Sequence, residues 1–196
     1  KNTQKFFDSK KILFGAISTH QNEEIFCTKI HTDLKKRYIN GITIIIPRHI
    51  HRAPDIKEEI EKIGLKVHLH SSGRKIDNKT DIYLVDTFGE TKLFIKICKI
   101  VFLGGSLIQH GGQNPLEAAR LGCKIIHGPN IDNFLEVYSL LNKNNISSKI
   151  RTISQAKGIV QKNLDNKFSS KKIIKKLNSI GNEALLNNQK EINKYI

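Results

Sequence analysis

Short apolar runs alternate with segments of helical periodicity along most of this chain. Residues 42–46 form a continuous β-branched run closed by Pro47, which is typical of a strand buried on both faces of a parallel sheet. In residues 23–38 the apolar positions instead recur at the spacing of one helix face. The pattern predicts strands at 11–17, 42–46, 65–70, 81–85, 100–103, 124–127 and 149–153. It predicts helices at 23–38, 54–63, 89–99, 115–121, 134–141 and 154–164.

Glycine, proline and serine mark the ends of several predicted helices. Gly64 stands just past the end of the second helix, at its C′ position. Pro115 opens the fourth helix in its first turn, and Gly122 closes it. Ser154 is placed to cap the sixth helix. Residues 71–80 are polar and are predicted to form a loop.

Repeated strand–helix units predict an α/β fold with a Rossmann-like, doubly wound and mostly parallel sheet. We assign this body to residues 1–168. Residues 169–196 are polar and Lys-rich, and they predict a basic amphipathic helical tail. Its one apolar stripe consists of Ile173, Ile174, Leu177 and Ile180. In such sheets ligands bind outside the carboxyl ends of the strands. The residues that follow each strand are therefore the candidates for function.

The chain is strongly basic, with 33 Lys and Arg against 18 Asp and Glu and a formal charge of +15. Such a balance favours an anionic partner, and nucleic acid, an acidic membrane and a phosphorylated substrate all qualify. AT-rich codons are an alternative source of part of the Lys excess, since Ile and Asn are abundant too. With no Trp and four Tyr, the chain lacks the aromatic side chains on which single-stranded nucleic acids stack, so no nucleic-acid partner is expected.

The three cysteines, Cys27, Cys98 and Cys123, match no zinc or redox spacing and lie in apolar stretches. We expect buried, reduced thiols and hence a reducing, cytoplasmic environment. No apolar run approaches the roughly 20 residues needed to span a bilayer, and no signal peptide is visible. Because the first residue is Lys rather than Met, we expect the sequence to belong to a longer protein.

Polar, Gly-rich segments follow the predicted strands at 18–24, 47–52, 86–90, 104–106, 111–117 and 128–130. Each has an ordinary explanation, because turns favour Gly, Asn, Asp, Ser and Pro for backbone reasons. Together they would gather at one edge of the sheet, with many hydrogen-bond donors and few apolar groups. This convergence predicts a binding site.

The strongest candidate segment is residues 102–119. Gly104-Gly105 allows a ligand to approach the backbone closely, and Gly111-Gly112 does the same just before the helix that starts at Pro115. The free N–H groups and partial positive charge of a helix N-terminus suit a phosphate. Glu117, in the first turn, has two interpretations of equal weight: it binds both hydroxyls of a ribose, or it only complements the helix dipole.

Other polar residues carry the same kind of ambiguity. Arg48 follows a buried strand directly, where it could hold a phosphate with two hydrogen bonds or simply be a solvated surface residue. Glu90 is as ambiguous as Glu117. The pairs His49/His51 and His68/His70 could each supply two metal ligands, but no carboxylate or cysteine stands at a diagnostic spacing, so no metal site is predicted.

The motifs occur in an order that resembles a known family. In sequence order they are Ser18-Thr19-His20 with Glu23-Glu24, Pro47-Arg48-His49, Asp86-Thr87-x-Gly89-Glu90, Gly104-Gly105-Ser106, Gly111-Gly112-x-Asn114-Pro115-Leu116-Glu117 and Gly128-Pro129-x(3)-Asn133-Phe134. This set resembles the C-terminal domain of the transferases of 3-deoxy-manno-octulosonic acid (Kdo), which have the two-domain GT-B glycosyltransferase fold. The resemblance covers about 12–134, and the tail adds little to it.

The resemblance implies the donor-binding half of an inverting glycosyltransferase. Such enzymes transfer Kdo from CMP-Kdo to the lipid A precursor (lipid IVA) in lipopolysaccharide biosynthesis. The implied nucleotide contacts are Pro47, Arg48, Phe88, Gly89, Glu90, Asn114, Pro115, Leu116 and Glu117. Gly104, Gly105 and Ser106 would line the phosphate and sugar region. The family needs no metal or other cofactor.

The resemblance also implies where the catalytic base and the acceptor-binding surface lie. In the family the catalytic carboxylate base and most of the acceptor-binding surface belong to an N-terminal domain, which is absent from this sequence. We therefore expect no catalytic residue in this chain and no activity from it alone. The expected location is the cytoplasmic face of the inner membrane, against an anionic membrane surface.

The sequence departs from the family pattern at several positions. Gln113 stands where the family usually has His, Gln21-Asn22 where a Gly usually precedes the acid pair, and Thr91 where Leu is usual. Gln can donate a hydrogen bond but carries no charge. Two alternative functions stay open: another nucleotide-sugar enzyme of the same fold, such as a lipid disaccharide synthase or a sugar epimerase, and a basic nucleic-acid- or membrane-binding module.

Overall fold

The computed structural model describes residues 7, 11–166 and 169–192. Its strands are β1 (Lys11–Thr19), β2 (Gly41–Pro47), β3 (Val67–Leu69), β4 (Ile82–Leu84), β5 (Ile100–Leu103), β6 (Lys124–His127) and β7 (Ser147–Lys149). Its α-helices are α1 (Glu23–Lys35), α2 (Ala53–Lys62), α3 (Thr91–Ile97), α4 (Leu116–Arg120), α5 (Leu135–Lys143), α6 (Ile153–Asp165) and α7 (Ser170–Ile192). Single turns of 3-10 helix lie at Ile50–Arg52, His70–Ser72 and Asp132–Phe134.

These strands form one parallel sheet in the order β3-β4-β2-β1-β5-β6-β7. Strand β1 lies in the middle, paired with β2 on one side and with β5 on the other. The chain builds one half of the sheet away from β1 and then returns to add β5, β6 and β7 on the opposite side. The carboxyl ends of β1 and β5 therefore flank the switch point, where open parallel sheets bind their ligands.

Helices cover both faces of the sheet. One apolar layer lies between the sheet and α1, α2 and α6. The other lies between the sheet and α3, α4, α5 and α7. Burial on both faces explains why β2 reads as an unbroken apolar run, since every one of its residues is buried. The predicted α/β, doubly wound parallel sheet is confirmed.

The predicted strand at 149–153 is wrong. Strand β7 ends at Lys149, and Ile153 already belongs to α6. Thr152, not Ser154, caps α6, because the Thr152 side chain accepts a hydrogen bond from the backbone N–H of Gln155 at 3.2 Å. Strand β7 is a Ser-Ser-Lys edge strand with no apolar residue, whereas buried Ile150 lies in the turn that follows it. The apolar pattern therefore placed the predicted strand too late in the sequence.

Two helices near the switch point begin later than predicted. Helix α4 contains five residues, and Pro115 precedes it as the cap instead of occupying its first turn. Helix α3 starts at Thr91, so Glu90 is its cap residue and not a first-turn residue. The prediction for Gly64 is confirmed: it follows the C-cap of α2 with a φ of 84°.

The predicted tail forms α7, which packs against α4. Ile173 is buried, and Leu177 packs on the same core, as the apolar stripe predicts. Ile174 is exposed instead, so it does not belong to the buried stripe. Ser170 contacts Gly122, where an added Cβ would lie 2.7 Å from the Ser170 Cβ. Residues 193–196 of the predicted tail lie outside the described part of the chain.

The three cysteines are free and buried, as predicted. Cys123 Sγ donates hydrogen bonds to the carbonyls of Ile95 and Cys98. Burial raises the pKa of the Cys123 thiol to about 12, so this group stays protonated at neutral pH. Within residues 11–166 and 169–192, no helix combines the length and the apolar character that a bilayer-spanning helix requires.

A buried carboxylate fixes the start of β4. Asp81 pairs with Lys35, and its Oδ2 accepts a hydrogen bond from the backbone N–H of Lys66 at 2.9 Å. His31 Nε2 lies 3.6 Å from Oδ1 of the same carboxylate. Burial alone would raise the pKa of Asp81, but the interactions with His31, Lys35 and the Lys66 N–H outweigh burial and hold this pKa well below its usual range.

Candidate functional site

A cavity of about 500 Å³ opens at the carboxyl ends of β1 and β5. The starts of α3 and α4 complete its walls. Its apolar lining comes from Ile17, Ile95, Leu103, Leu116, Ala118 and Leu121. Its polar lining comes from Ser18, Thr91, Lys92, Gln113, Asn114, Glu117 and Arg120. The cavity therefore lies at the switch point and offers both apolar and hydrogen-bonding surface, as small-molecule sites do.

Three residues predicted for the site line this cavity: Asn114, Leu116 and Glu117. The Asn114 Oδ1 accepts a hydrogen bond from the backbone N–H of Leu116 at 3.0 Å, which fixes the entry into α4. Pro115 is buried at the cap of the same helix. The Glu117 side chain is exposed on the cavity wall, so its carboxylate is available to a ligand.

Positive charge at the cavity comes from two side chains that the motif analysis did not select. Lys92 in α3 and Arg120 in α4 are exposed and line the cavity. Because α4 has only five residues, its dipole supplies less of this charge than predicted, and the backbone N–H of Leu116 is already taken by Asn114.

The glycine pair after β5 packs against the end of β1. A Cβ added to Gly104 would lie 2.2 Å from the carbonyl oxygen of Ser18, so no larger residue fits without moving one of the two strands. Gly105 has a φ of 66°, a conformation that side chains with a Cβ rarely adopt. This packing brings the backbone after β5 to the edge of the cavity, where Ser18 also lies.

Glu23 holds this glycine loop in place. Its carboxylate is buried and accepts hydrogen bonds from four backbone N–H groups, those of His20 (2.9 Å), Gly105 (2.7 Å), Ser106 (3.1 Å) and Leu107 (3.0 Å). A carboxylate that accepts several N–H groups is held firmly, because charge-assisted hydrogen bonds are the stronger kind. The sequence motifs include Glu23, but its spacing gave no indication of this role.

The side chain of Ser106 is turned into the protein. Its hydroxyl donates to the carbonyl of Leu103 at 2.5 Å and accepts from the backbone N–H of Gly128 at 2.8 Å. Ser106 is fully buried. It therefore connects the ends of β5 and β6, and any part it has in binding would come through the loop it stabilises.

Pro47 and Arg48 follow β2, next to the end of β1. Pro47 is buried, and the backbone N–H of Arg48 donates to the carbonyl of Thr19 at 2.9 Å. The side chain of Arg48 is exposed and makes no ion pair among the described residues. Neither residue lines the cavity. Arg48 instead lies close enough to His20 to act on its ring electrostatically.

The predicted contacts at 88–90 lie at the approach to α3. Phe88 is 80% exposed. Glu90 accepts a hydrogen bond from the Thr87 hydroxyl at 2.5 Å and lies 2.9 Å from Nε2 of His70. Nδ1 of His70 in turn lies 2.6 Å from the Tyr83 hydroxyl. Glu90 is therefore already held in a hydrogen-bond network, and Thr91, the next residue, lines the cavity.

Three histidines meet in the loops that follow β1, β2 and β5, a grouping that the motifs did not indicate. The ring of His20 lies 4.3 Å from that of His110 and 5.9 Å from that of His49, measured between centroids. His20 is buried, with 9% of its surface exposed. Burial, followed by His110, His49, Arg48 and Arg52, lowers the pKa of His20 to about 4, so the ring is neutral at pH 7.

We call His20, His49 and His110 the histidine cluster. Nearby, Arg52 pairs with the buried Glu24 at 3.0 Å. Across the part of the chain that the structure describes, no three His, Cys, Asp or Glu side chains converge in a way that could hold a metal ion.

No family model matches the chain. It is similar to a 3-deoxy-D-manno-octulosonic acid transferase of Haemophilus influenzae, with 29% identity over 174 residues, or 89% of this chain and 40% of that protein. A transferase of the same name from Rickettsia prowazekii is 36% identical over 149 residues, which are 74% of this chain and 31% of that protein. A probable mitochondrial transferase of this name from Arabidopsis thaliana is 34% identical over 132 residues, 66% of this chain and 30% of that protein.

A solved structure shares the fold. The C-terminal CMP-Kdo binding domain of WaaA from Acinetobacter baumannii superposes with a TM-score of 0.81 and 24% identity, covering 91% of this chain and 93% of that domain. The resemblance stated from the motifs is confirmed by these relatives. The chain spans less than half the length of the curated relatives it matches.

Proposed function

We propose that this chain, as a relative of the Kdo transferases, forms the donor-binding part of such a glycosyltransferase. In this proposal the complete enzyme transfers Kdo from CMP-Kdo to a lipid A precursor with inversion at the anomeric carbon. The observation that carries the proposal is the cavity of about 500 Å³ at the switch point, lined by Asn114, Leu116 and Glu117 of the motif that the resemblance assigns to the nucleotide.

The cavity suits a nucleoside monophosphate. Glu117 offers a carboxylate to the two ribose hydroxyls, and the apolar residues Ile17, Ile95 and Leu103 offer a surface for a flat base. Lys92 and Arg120 supply positive charge toward the phosphate. A monophosphate leaving group carries less charge than a diphosphate, so in this proposal the cationic side chains stabilise it without a metal ion.

In this proposal the residues that catalyse bond formation belong to a different domain of the enzyme. The acceptor hydroxyl must lose a proton as it attacks, and the base for that step lies in a further domain that also binds the acceptor. The part played by residues 1–168 is to hold and orient the donor. Orientation of one reactant against the other is itself a large share of catalysis, since it replaces an encounter in solution with a fixed geometry.

The proposed location is the cytoplasmic face of the inner membrane, where the chain meets anionic lipid through α7. Lys171, Lys172, Lys175 and Lys176 are all exposed on that helix. Ile174, Leu185 and Leu186 are exposed apolar residues of the same helix. A helix with exposed Lys and apolar side chains is suited to the headgroup region of an anionic bilayer. The Lys residues would hold the donor-binding cavity close to a lipid acceptor.

Calorimetric titration of this chain with CMP and with UMP tests the nucleotide assignment. We expect CMP to bind and UMP to bind at least about tenfold more weakly, which corresponds to a difference of about 1.4 kcal/mol. Equal affinity for the two nucleotides would favour a UDP-sugar enzyme of the same fold. Absence of CMP binding at millimolar concentration would contradict the proposal as a whole.

A further inference from the structure

The histidine cluster lies directly beside the cavity, on the other side of Gly105. An added Cβ at Gly105 would lie 3.4 Å from Nε2 of Gln113, which lines the cavity. The same Cβ would lie 3.0 Å from Cδ2 of His110 and 3.5 Å from Cδ2 of His20. Gly105 therefore lies between the cavity and the histidine cluster, and it has no side chain to separate them. A ligand that crosses Gly105 from the cavity meets the imidazole rings.

One nitrogen in the cluster is buried without a partner. Nε2 of His20 is inaccessible to solvent and makes no hydrogen bond to any described residue. Buried polar groups are nearly always hydrogen-bonded, and one that is not calls for an explanation. The backbone N–H of His20 is already taken by Glu23, so the ring is held in place from its main chain. A ligand oxygen at Nε2 would supply the missing partner.

The charges around the cluster favour an anion. Arg48 and Arg52 both lie close enough to His20 to act on its ring electrostatically. The two carboxylates on the facing helix α1 are already engaged, because Glu23 accepts four backbone N–H groups and Glu24 pairs with Arg52. The positive charge of Arg48 therefore remains available to an incoming anion.

We infer that the histidine cluster, with Arg48, is the subsite for the carboxylate of the donor sugar. This inference rests on the proposed function. In a CMP-linked 2-ulosonic acid, the carboxylate is attached to the same carbon as the phosphate oxygen, so it must lie within a few bonds of the phosphate. With the phosphate at Gly104-Gly105, the carboxylate falls on the side of Gly105 where His20 and His110 stand. The N–H groups of the imidazole rings donate hydrogen bonds to it, and Arg48 supplies the charge.

This subsite would distinguish the donor from its product. CMP and CMP-Kdo share the cavity, but only the intact donor has a carboxylate to place among the histidines. Binding of the donor should therefore be stronger than binding of CMP, and the difference should depend on the cluster. Hydrogen bonds to a charged group are the kind whose loss changes affinity most.

The test is calorimetric titration of CMP and of CMP-Kdo into this chain and its variants. We expect the wild type to bind CMP-Kdo at least about fivefold more tightly than CMP. His20→Gln and His110→Gln should each remove most of this preference and leave the Kd for CMP within about twofold of the wild type. His110 is exposed, so its variant remains informative if the buried His20→Gln variant unfolds. His68→Gln, on edge strand β3, is the matched control and should change neither Kd.

Imidazole resonances from ¹H–¹⁵N NMR identify the group that binds. CMP-Kdo should shift the ring signals of His20 and His110, whereas CMP alone should not. Inorganic phosphate added with CMP should also leave them unshifted. Shifts with phosphate equal to those with CMP-Kdo would assign the cluster to a phosphate, such as one on the acceptor, and overturn the inference. Equal wild-type affinity for CMP and CMP-Kdo would overturn it too, while failure of CMP itself to bind would reject the proposed function first.

Discussion

The side-chain carboxylate of Glu23 and the backbone N–H of Gly105 are 2.7 Å apart, although the residues are separated by 82 positions in the sequence. This hydrogen bond ties the first turn of α1 to the loop after β5. The same carboxylate binds the N–H groups of His20, Ser106 and Leu107. One buried side chain thus sets the geometry of the switch point, between the cavity and the histidine cluster.

Glu23→Gln is expected to destabilise the protein by about 3 kcal/mol. The amide keeps the shape of the side chain, but its NH2 group cannot accept from the N–H groups that face one of the two carboxylate oxygens. Two buried N–H donors therefore lose their acceptor. Urea denaturation measures the change in the free energy of unfolding. Glu58→Gln, on the exposed face of α2, is the control and should change it by less than about 0.5 kcal/mol. Equal stability of the two variants would show that Glu23 does not hold the loop.

Gly104→Ala should destabilise the protein by about 2 kcal/mol or more, because the new methyl group would lie 2.2 Å from the Ser18 carbonyl oxygen. The strand ends must then move apart, and CMP binding should weaken as well. Gly158→Ala is the matched control, since nothing lies within 4 Å of its added Cβ. Gly158 is inside α6, where Ala is favoured over Gly by about 0.5–1 kcal/mol. Thermal unfolding should thus move in opposite directions for the two substitutions.

Glu117→Ala should raise the Kd for CMP at least about tenfold while the fold stays intact. The reason is the loss of the carboxylate proposed to bind the ribose. If Glu117 only complements the dipole of α4, stability should instead fall by about 0.3–1 kcal/mol and the Kd should not change. Glu136→Ala is the control, because Glu136 is also an exposed acid in the first turn of a helix. Calorimetry and thermal unfolding together separate the two interpretations.

The extent to which sequence predicts this molecule depends on how local each feature is. Strands such as β2 are predictable because burial on both faces leaves an unbroken apolar run. Strand β7 is not, because an edge strand of three residues is held by its pairing with β6 and needs no apolar side chain. The pattern of Ile150 and Ile153 then misplaces it.

The same distinction applies to the site. Asn114, Leu116 and Glu117 are close in sequence and follow a glycine pair, so a single segment indicates them. Three of the four N–H groups that Glu23 binds belong to residues more than 80 positions away. The histidine cluster combines residues from three strand ends, and no spacing along the chain relates them. Contacts of this kind become visible only in the folded sheet.

Acid should reveal the contribution of Asp81 to stability. Its pKa in the folded protein lies below the usual value of 3.8, so the unfolded chain binds a proton more readily than the folded one. The stabilisation is complete above the usual value and is lost as the pH falls below it, through the folded pKa. At pH 7 we expect Asp81→Asn to cost about 2–3 kcal/mol. Urea denaturation of both proteins between pH 7 and pH 3 should show the difference shrinking. A difference that grows toward pH 3 would mean that folding raises the pKa of Asp81 instead of lowering it.

Exposed lysines on α7 should govern association with anionic membranes. Lys171→Gln combined with Lys175→Gln removes two charges, each worth about 1 kcal/mol near an anionic surface. Binding to phosphatidylglycerol-containing vesicles should weaken by about tenfold or more at low salt. Lys75→Gln with Lys79→Gln removes the same charge from an exposed loop and serves as the control. If both double substitutions reduce the amount of protein that co-sediments with the vesicles equally, binding depends only on net charge and α7 has no special role.

The distance in sequence between Glu23 and Leu107 has a consequence for biosynthesis. These residues are 84 positions apart, and ribosomes add about 5–20 residues per second. Roughly 4–17 s therefore pass between the synthesis of the carboxylate and that of its last N–H partner. During this interval the first half of the sheet can form, but the loop beside the cavity cannot. A nascent chain released before Leu107 would contain β1 to β5 but would lack the cavity residues from Gln113 to Leu121, so it would have no place for a nucleotide. Nucleotide binding by a nascent chain would therefore show that synthesis has proceeded beyond β5 and the loop that follows it.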